Sequence, residues 1–121
     1  MLEMRLPARV TGAGNPVALT IGKNGTVAAF SQGFGNSFQI LGVYVHADAD
    51  PGANNLTISI DSQIAAAYDT ILVVQSMNGV TDYFWLPDGE LILHGSEDFI
   101  VSAANVVGVT FGITVQWKCG G

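Results

Sequence analysis

A chain of 121 residues is one domain, long enough to bury a single core. Hydrophobic residues are 49% of it, which excludes intrinsic disorder, and charged residues only 12%, about half of the roughly 25% usual in soluble domains. The net charge of −6, with four basic residues and no basic stripe, excludes a nucleic-acid-binding surface.

The first sixteen residues, ending Thr11-Gly-Ala-Gly-Asn-Pro16, have weaker periodicity than the rest and read either as an N-terminal arm or as a first strand. Residues 17–121 form the second unit of the reading, a β-sandwich domain. Up to Gly25 three basic residues stand against one acid; beyond it Lys118 stands alone against nine. The apolar pattern is one of short strands. Phe38, Ile40, Val43 and Val45 are separated mostly by small or polar residues, and Leu56, Ile58 and Ile60 alternate with Thr57 and Ser59, so one face is buried. Ile71-Leu-Val-Val74 reads as a strand covered on both sides. Residues 62–69, with Ala65-Ala-Ala67, offer the one helical turn. Tyr83-Phe-Trp-Leu86 runs into the turn signature Pro87-Asp-Gly89. Leu91-Ile-Leu93, Phe99-Ile-Val101 and the run from Val109 to Trp117 complete the set; in the last, Phe111, Ile113, Val115 and Trp117 share a face. Turns at Lys23-Asn-Gly25, Asp50-Pro-Gly52, Met77-Asn-Gly79, Pro87-Asp-Gly89 and His94-Gly-Ser96 punctuate the strands at short intervals. The expectation is an all-β chain, a single jelly-roll β-sandwich of eight or nine strands.

No stretch approaches the ~18 apolar residues of a membrane span, and the N-terminus lacks the apolar core of a signal peptide, so the expectation is a soluble protein made in the cytoplasm. The lone Cys119 leaves the fold to stand on packing. Enzyme signatures are absent: no nucleophile elbow, no phosphate-binding glycine loop, no metal helix, and His46 and His94 lie on separate strands. The expectation is a non-enzymatic protein without a cofactor.

Three groups are candidates for binding. Asp48, Asp50 and Asn54 place hard oxygens within one loop, the ligand type Ca²⁺ prefers, but without the closing bidentate carboxylate; the alternative is a turn whose side chains cap backbone groups. Tyr83 and Trp85 are either a sugar-stacking platform or core and interface packing. Arg5 and Arg9 are candidate contacts to an acidic protein surface.

The C-terminal two-thirds carries a further pattern. Tyr68-Asp-Thr-Ile-Leu-Val-Val74, then Val80-Thr-Asp-Tyr-Phe-Trp-Leu-Pro-Asp-Gly-Glu-Leu91, then Glu97-Asp-Phe-Ile-Val-Ser-Ala-Ala-Asn105, closing on Gly112-Ile-Thr-Val-Gln-Trp117, resembles the small jelly-roll virion proteins of tailed bacteriophages. Tumour-necrosis-factor-like and C1q-like trimeric heads share the same logic. The resemblance implies a capsid decoration (cement) protein, a homotrimer bound to the major capsid protein on the outside of the head, with Arg5 and Arg9 against the capsid and no nucleic-acid or membrane partner. Two competing functions remain: a tail-tip or fibre head that binds a host glycan through Tyr83 and Trp85, and a free-standing carbohydrate-binding module.

Overall fold

The computed structural model describes residues 8–22, 28–29, 37–62, 67, 69–94 and 97–119. They form ten strands: β1 (Ala8–Gly14), β2 (Val17–Gly22), the two-residue β3 (Ala28–Ala29), β4 (Ser37–Ala47), β5 (Asn55–Asp61), β6 (Thr70–Ser76), β7 (Asp82–Trp85), β8 (Leu91–His94), β9 (Asp98–Ala103) and β10 (Phe111–Cys119). The helical turn expected at 62–69 and the turns at 23–25 and 94–96 fall largely outside the described residues.

Pairing is nested. β1 pairs β10, β2 pairs β9, β4 pairs both β7 and β8, and β5 pairs β6, all antiparallel. Successive pairs fall alternately in two sheets, and β10–β4 and β9–β5 contacts join them laterally. The result is a face sheet, β1-β10-β4 with β7 and β8 end to end along the far side of β4, and a back sheet, β3-β2-β9-β5-β6. A long hairpin rolled up in this way is the jelly roll. The eleven residues of β4 make the end-to-end arrangement possible: β7 lies against Val43 to His46 and β8 against Ser37 to Ile40, with a register shift between them. Of residues 1–16, Ala8–Gly14 is β1, in register with β10 along its whole length.

The core lies between the sheets. Phe38, Phe99 and Phe111 are its largest members, packed with Leu19, Ile21, Ile40, Leu56, Ile58 and Ile113. The strict alternation of β5 and β10 is realised: Leu56 and Ile58 are buried, as are Phe111, Ile113, Val115 and Trp117. The Ile71-to-Val74 run departs from expectation. β6 is the outer strand of the back sheet, and Ile71 and Val74 are 67% and 57% exposed because no described residue covers their face. A continuous apolar run marks burial on both faces only when something covers both.

Three glycines predicted to make turns, Gly52, Gly79 and Gly89, have φ of 68°, 74° and 89°, the left-handed region open to glycine at no steric cost. Gly22 answers to space as well. A Cβ there would sit 2.1 Å from the Glu97 carbonyl oxygen and 2.6 Å from an Asp98 carboxylate oxygen. Among the described residues no helix is long and apolar enough to cross a membrane.

Candidate functional site

The outer surface of the face sheet is built from three adjacent cross-strand rows. One runs Thr11, Thr114, Tyr44, Phe84; the row beside it runs Ala13, Gly112, His46, Asp82; on the other side lie Arg9, Gln116 and Gly42. Thr11 and Thr114 share a hydroxyl hydrogen bond of 3.0 Å. Tyr44 and Phe84 meet edge to face, centroids 6.4 Å apart at 70°. The Tyr44 hydroxyl donates to Asp82 Oδ1 at 2.6 Å, and His46 Nδ1 lies 2.8 Å from the same oxygen. The Thr81 hydroxyl reaches Oδ2 at 3.3 Å. Those contacts hold the Asp82 carboxyl below its usual range, Tyr44 first and His46 next, while the same hydrogen bond pushes the Tyr44 phenol up. Because Tyr44 and Asp82 are diagonal neighbours on facing strands, this network fixes the Tyr44 ring beside Phe84.

Gly42 leaves a gap in the third row. Arg9, Gly42, Tyr44, Phe84, Thr114 and Gln116 line an open depression of about 370 Å³. The five strands of the face sheet hold only three Asp, Glu, Lys or Arg residues, Arg9, Lys118 and Asp82. Those of the back sheet hold Asp61 and Asp98 and no basic residue. Charge is thus polarised between the two sheets.

Tyr83 and Trp85 sit on the opposite side of β7 from this depression. They are in register with Val45 and Val43, both fully buried, and pack against the core; Trp85 stacks on Phe99, centroids 6.4 Å apart at 19°. Phe84, between them, is the exposed aromatic, at 60%. Of the two alternatives the sequence left open for Tyr83 and Trp85, the structure takes packing against the core; the exposed aromatics, Phe84 and Tyr44, were not singled out from the sequence. The signal was present in β4: once Val43 and Val45 face inward, Tyr44 faces out, and so does its partner on β7.

Asp48, Asp50 and Asn54 are brought together at one end of the sandwich, where they tie loops to each other. Asp48 Oδ1 accepts from the Thr110 amide at 2.8 Å, and Asp50 Oδ1 accepts from the Gly52 and Gly79 amides at 2.9 and 2.8 Å. Asn54 Nδ2 donates to the Pro51 carbonyl at 2.7 Å. These bonds join the β4–β5 loop to the β6–β7 and β9–β10 loops, and hold the Asp50 carboxyl below its usual range. At the other end of the back sheet Asp61, Asp69 and Asp98 approach one another; burial first, then Asp69 and Asp98, push the Asp61 carboxyl up. Among the described residues no group of three or more His, Cys, Asp or Glu could hold a metal ion. His46 and His94 stand at opposite ends of the β4 pairing, one facing Asp82 across from β7, the other on β8 opposite Ser37.

Arg9 is on β1, within the sheet, and Arg5 lies outside the described residues. With Arg9 removed from it, the segment ahead of β1 carries Glu3 against Arg5 and has no basic excess from its side chains. The basic character of the N-terminal third belongs in part to the face sheet.

One side of the sandwich is apolar. Where β6 of the back sheet meets the β7–β8 connection of the face sheet, Leu72, Trp85, Leu86, Pro87 and Leu91 line a groove of about 340 Å³ rimmed by Asp88 and Glu90. Leu86 of this lining is more than half exposed, as are Ile71 and Val74 on the outer face of the back sheet and Ile92 on the outer face of the face sheet. The chain matches no protein-family model and no curated protein.

Proposed function

We propose that the protein is a structural virion subunit, a capsid decoration protein that associates as a homotrimer and packs on the major capsid protein at the outer surface of a phage head. One observation carries the reading: the apolar groove of Leu72, Trp85, Leu86, Pro87 and Leu91 beside the edge strand β6, with Ile71 and Val74 exposed on that strand, on a chain with few charged residues. Exposed apolar residues along an edge strand are a liability in a protein that works alone, and natural proteins usually guard such edges with charge or cover. In a subunit that is assembled once and kept, the same surface is an interface, and a cyclic arrangement closes it without leaving a free end.

The reading assigns no chemical step to the protein. Its contacts are the apolar side, which a neighbouring copy covers, and the surface presented to the capsid. An arm held by charge is no part of the proposal, because Arg9 belongs to the sheet and Glu3 offsets Arg5. Co-sedimentation with phage heads lacking decoration tests it: saturable binding of the trimer is expected, and protein left entirely in the supernatant overturns the decoration role.

A further inference from the structure

We infer that the depression on the face sheet is a binding site for an acidic saccharide, a pyranose carrying a carboxylate. The inference does not depend on the decoration role: the depression is lined from β1, β4, β7 and β10 and the groove from β6 and the β7–β8 connection, the two meeting only where Leu86 approaches Gly42.

Four features point to this ligand. The first is shape. At about 370 Å³ the depression is at the lower end of small-molecule sites, roughly 300–1,000 Å³, and it opens broadly to solvent, which suits a polar ligand that keeps one side wet. The second is composition. Phe84 and Tyr44 supply apolar ring surface for the C–H face of a pyranose, while the Gln116 amide and the Thr114 hydroxyl supply hydrogen bonds to ring hydroxyls. The third is preorganisation. Tyr44 is held by Asp82, Asp82 by His46 and Thr81, and Phe84 rests on Tyr44, so little order is lost on binding.

The fourth feature is charge. Arg9 is exposed and makes no ion pair with any described residue, and Lys118 lies on the same outer surface. The single carboxylate of the sheet, Asp82, is already occupied by Tyr44 and His46. In a protein of net charge −6, this is the one surface among the described residues that offers an unpaired guanidinium beside aromatic rings. A guanidinium takes a carboxylate in a two-point fork, the geometry that separates a sugar acid from its neutral counterpart. Gly42 lets Leu86 and Phe84 pack close over the sheet at the edge of the site: a Cβ there would approach Leu86 Cδ2 at 3.2 Å and Phe84 Cε1 at 3.7 Å, so a larger side chain would push the Phe84 ring out of place.

The test is an amide-resolved NMR titration of the full chain with D-glucuronate, D-glucose and acetate, each to about 50 mM, the range where millimolar affinities saturate. Glucuronate is expected to shift Arg9, Gly42, Tyr44, Phe84 and Gln116 saturably. Glucose and acetate are expected to bind at least about five-fold more weakly, the order of one solvent-exposed ion pair. Arg9→Gln should reduce glucuronate binding to the level of glucose, and Phe84→Ala should abolish it, with the remaining spectrum showing that each variant is folded. Absence of saturable shifts, shifts confined to other residues, glucose binding as well as glucuronate, or acetate binding as well as glucuronate would each overturn the inference.

Discussion

Trp85 decides whether the aromatic strand β7 serves the core or the surface. Replacing it with Ala removes the ring stacked on Phe99 and opens the space beside Val43. Truncating a large aromatic in a core costs about 3–5 kcal/mol, and the half-buried Trp85 belongs at the lower end, about 3 kcal/mol. Phe99 is fully buried, so Phe99→Ala belongs nearer 4 kcal/mol. The two changes should not add, because the stacked pair is lost once: the coupling expected in a double-mutant cycle is about 1 kcal/mol. Urea unfolding followed by the fluorescence of Trp117 measures all three variants, and with a slope of about 1.5 kcal/mol per molar the Trp85→Ala midpoint falls by about 2 M. A Trp85→Ala stability within about 0.5 kcal/mol of wild type, as for an ordinary surface position, would refute the inward orientation of the strand.

Gly22→Ala should destabilise the protein by about 3 kcal/mol, combining a positive-φ position (145°) with a Cβ 2.1 Å from a carbonyl oxygen; a melting temperature within a degree or two of wild type would contradict that packing. The Asp50 carboxyl, lowered by the Gly52 and Gly79 amides, contributes stability that is present above its unfolded value of about 4 and is lost as pH falls through the lower folded value. Asp50→Asn should therefore flatten the acid side of the stability profile, and parallel profiles for the two proteins would count against the loop tie. The Asp61 carboxyl has the opposite sign. Burial and its acidic neighbours penalise its charged form, so Asp61→Asn should raise the urea midpoint at pH 7, and a lowered midpoint would contradict the assignment. Since the carboxylates of Asp48 and Asp50 already receive backbone amides, EDTA should leave the unfolding midpoint unchanged; a fall on chelation would make that loop a metal site.

The parts of this fold legible in the sequence are those where one residue's neighbours decide its environment. Alternation in β5 and β10 shows which face is buried, and Gly52, Gly79 and Gly89 mark turns because few other residues adopt their φ cheaply. What depends on the sheet as a whole was hidden. Ile71 and Val74 have the composition of an interior strand and stand at an edge, a difference that lies in the pairing order and not in β6 itself. The phase of β7 was hidden for the same reason. Three consecutive aromatics carry no alternation of their own, and only pairing with β4 turns Phe84 outward and Tyr83 and Trp85 inward. The depression is more remote still from the sequence. Arg9, Tyr44, Phe84 and Gln116 come from four strands and meet only because β1, β10, β4 and β7 lie side by side.

A trimeric subunit needs the apolar groove beside β6 covered by another copy of the chain. Light scattering at micromolar concentration, on wild type and on Leu86→Glu, tests this directly, because Leu86 lines the apolar groove at 60% exposure and a charge there opposes burial without disturbing the core. The expected result is a mass three times the 12.6 kDa of the chain for wild type and a folded monomer for the variant. A monomeric wild type, or a variant that associates as wild type does, would contradict it.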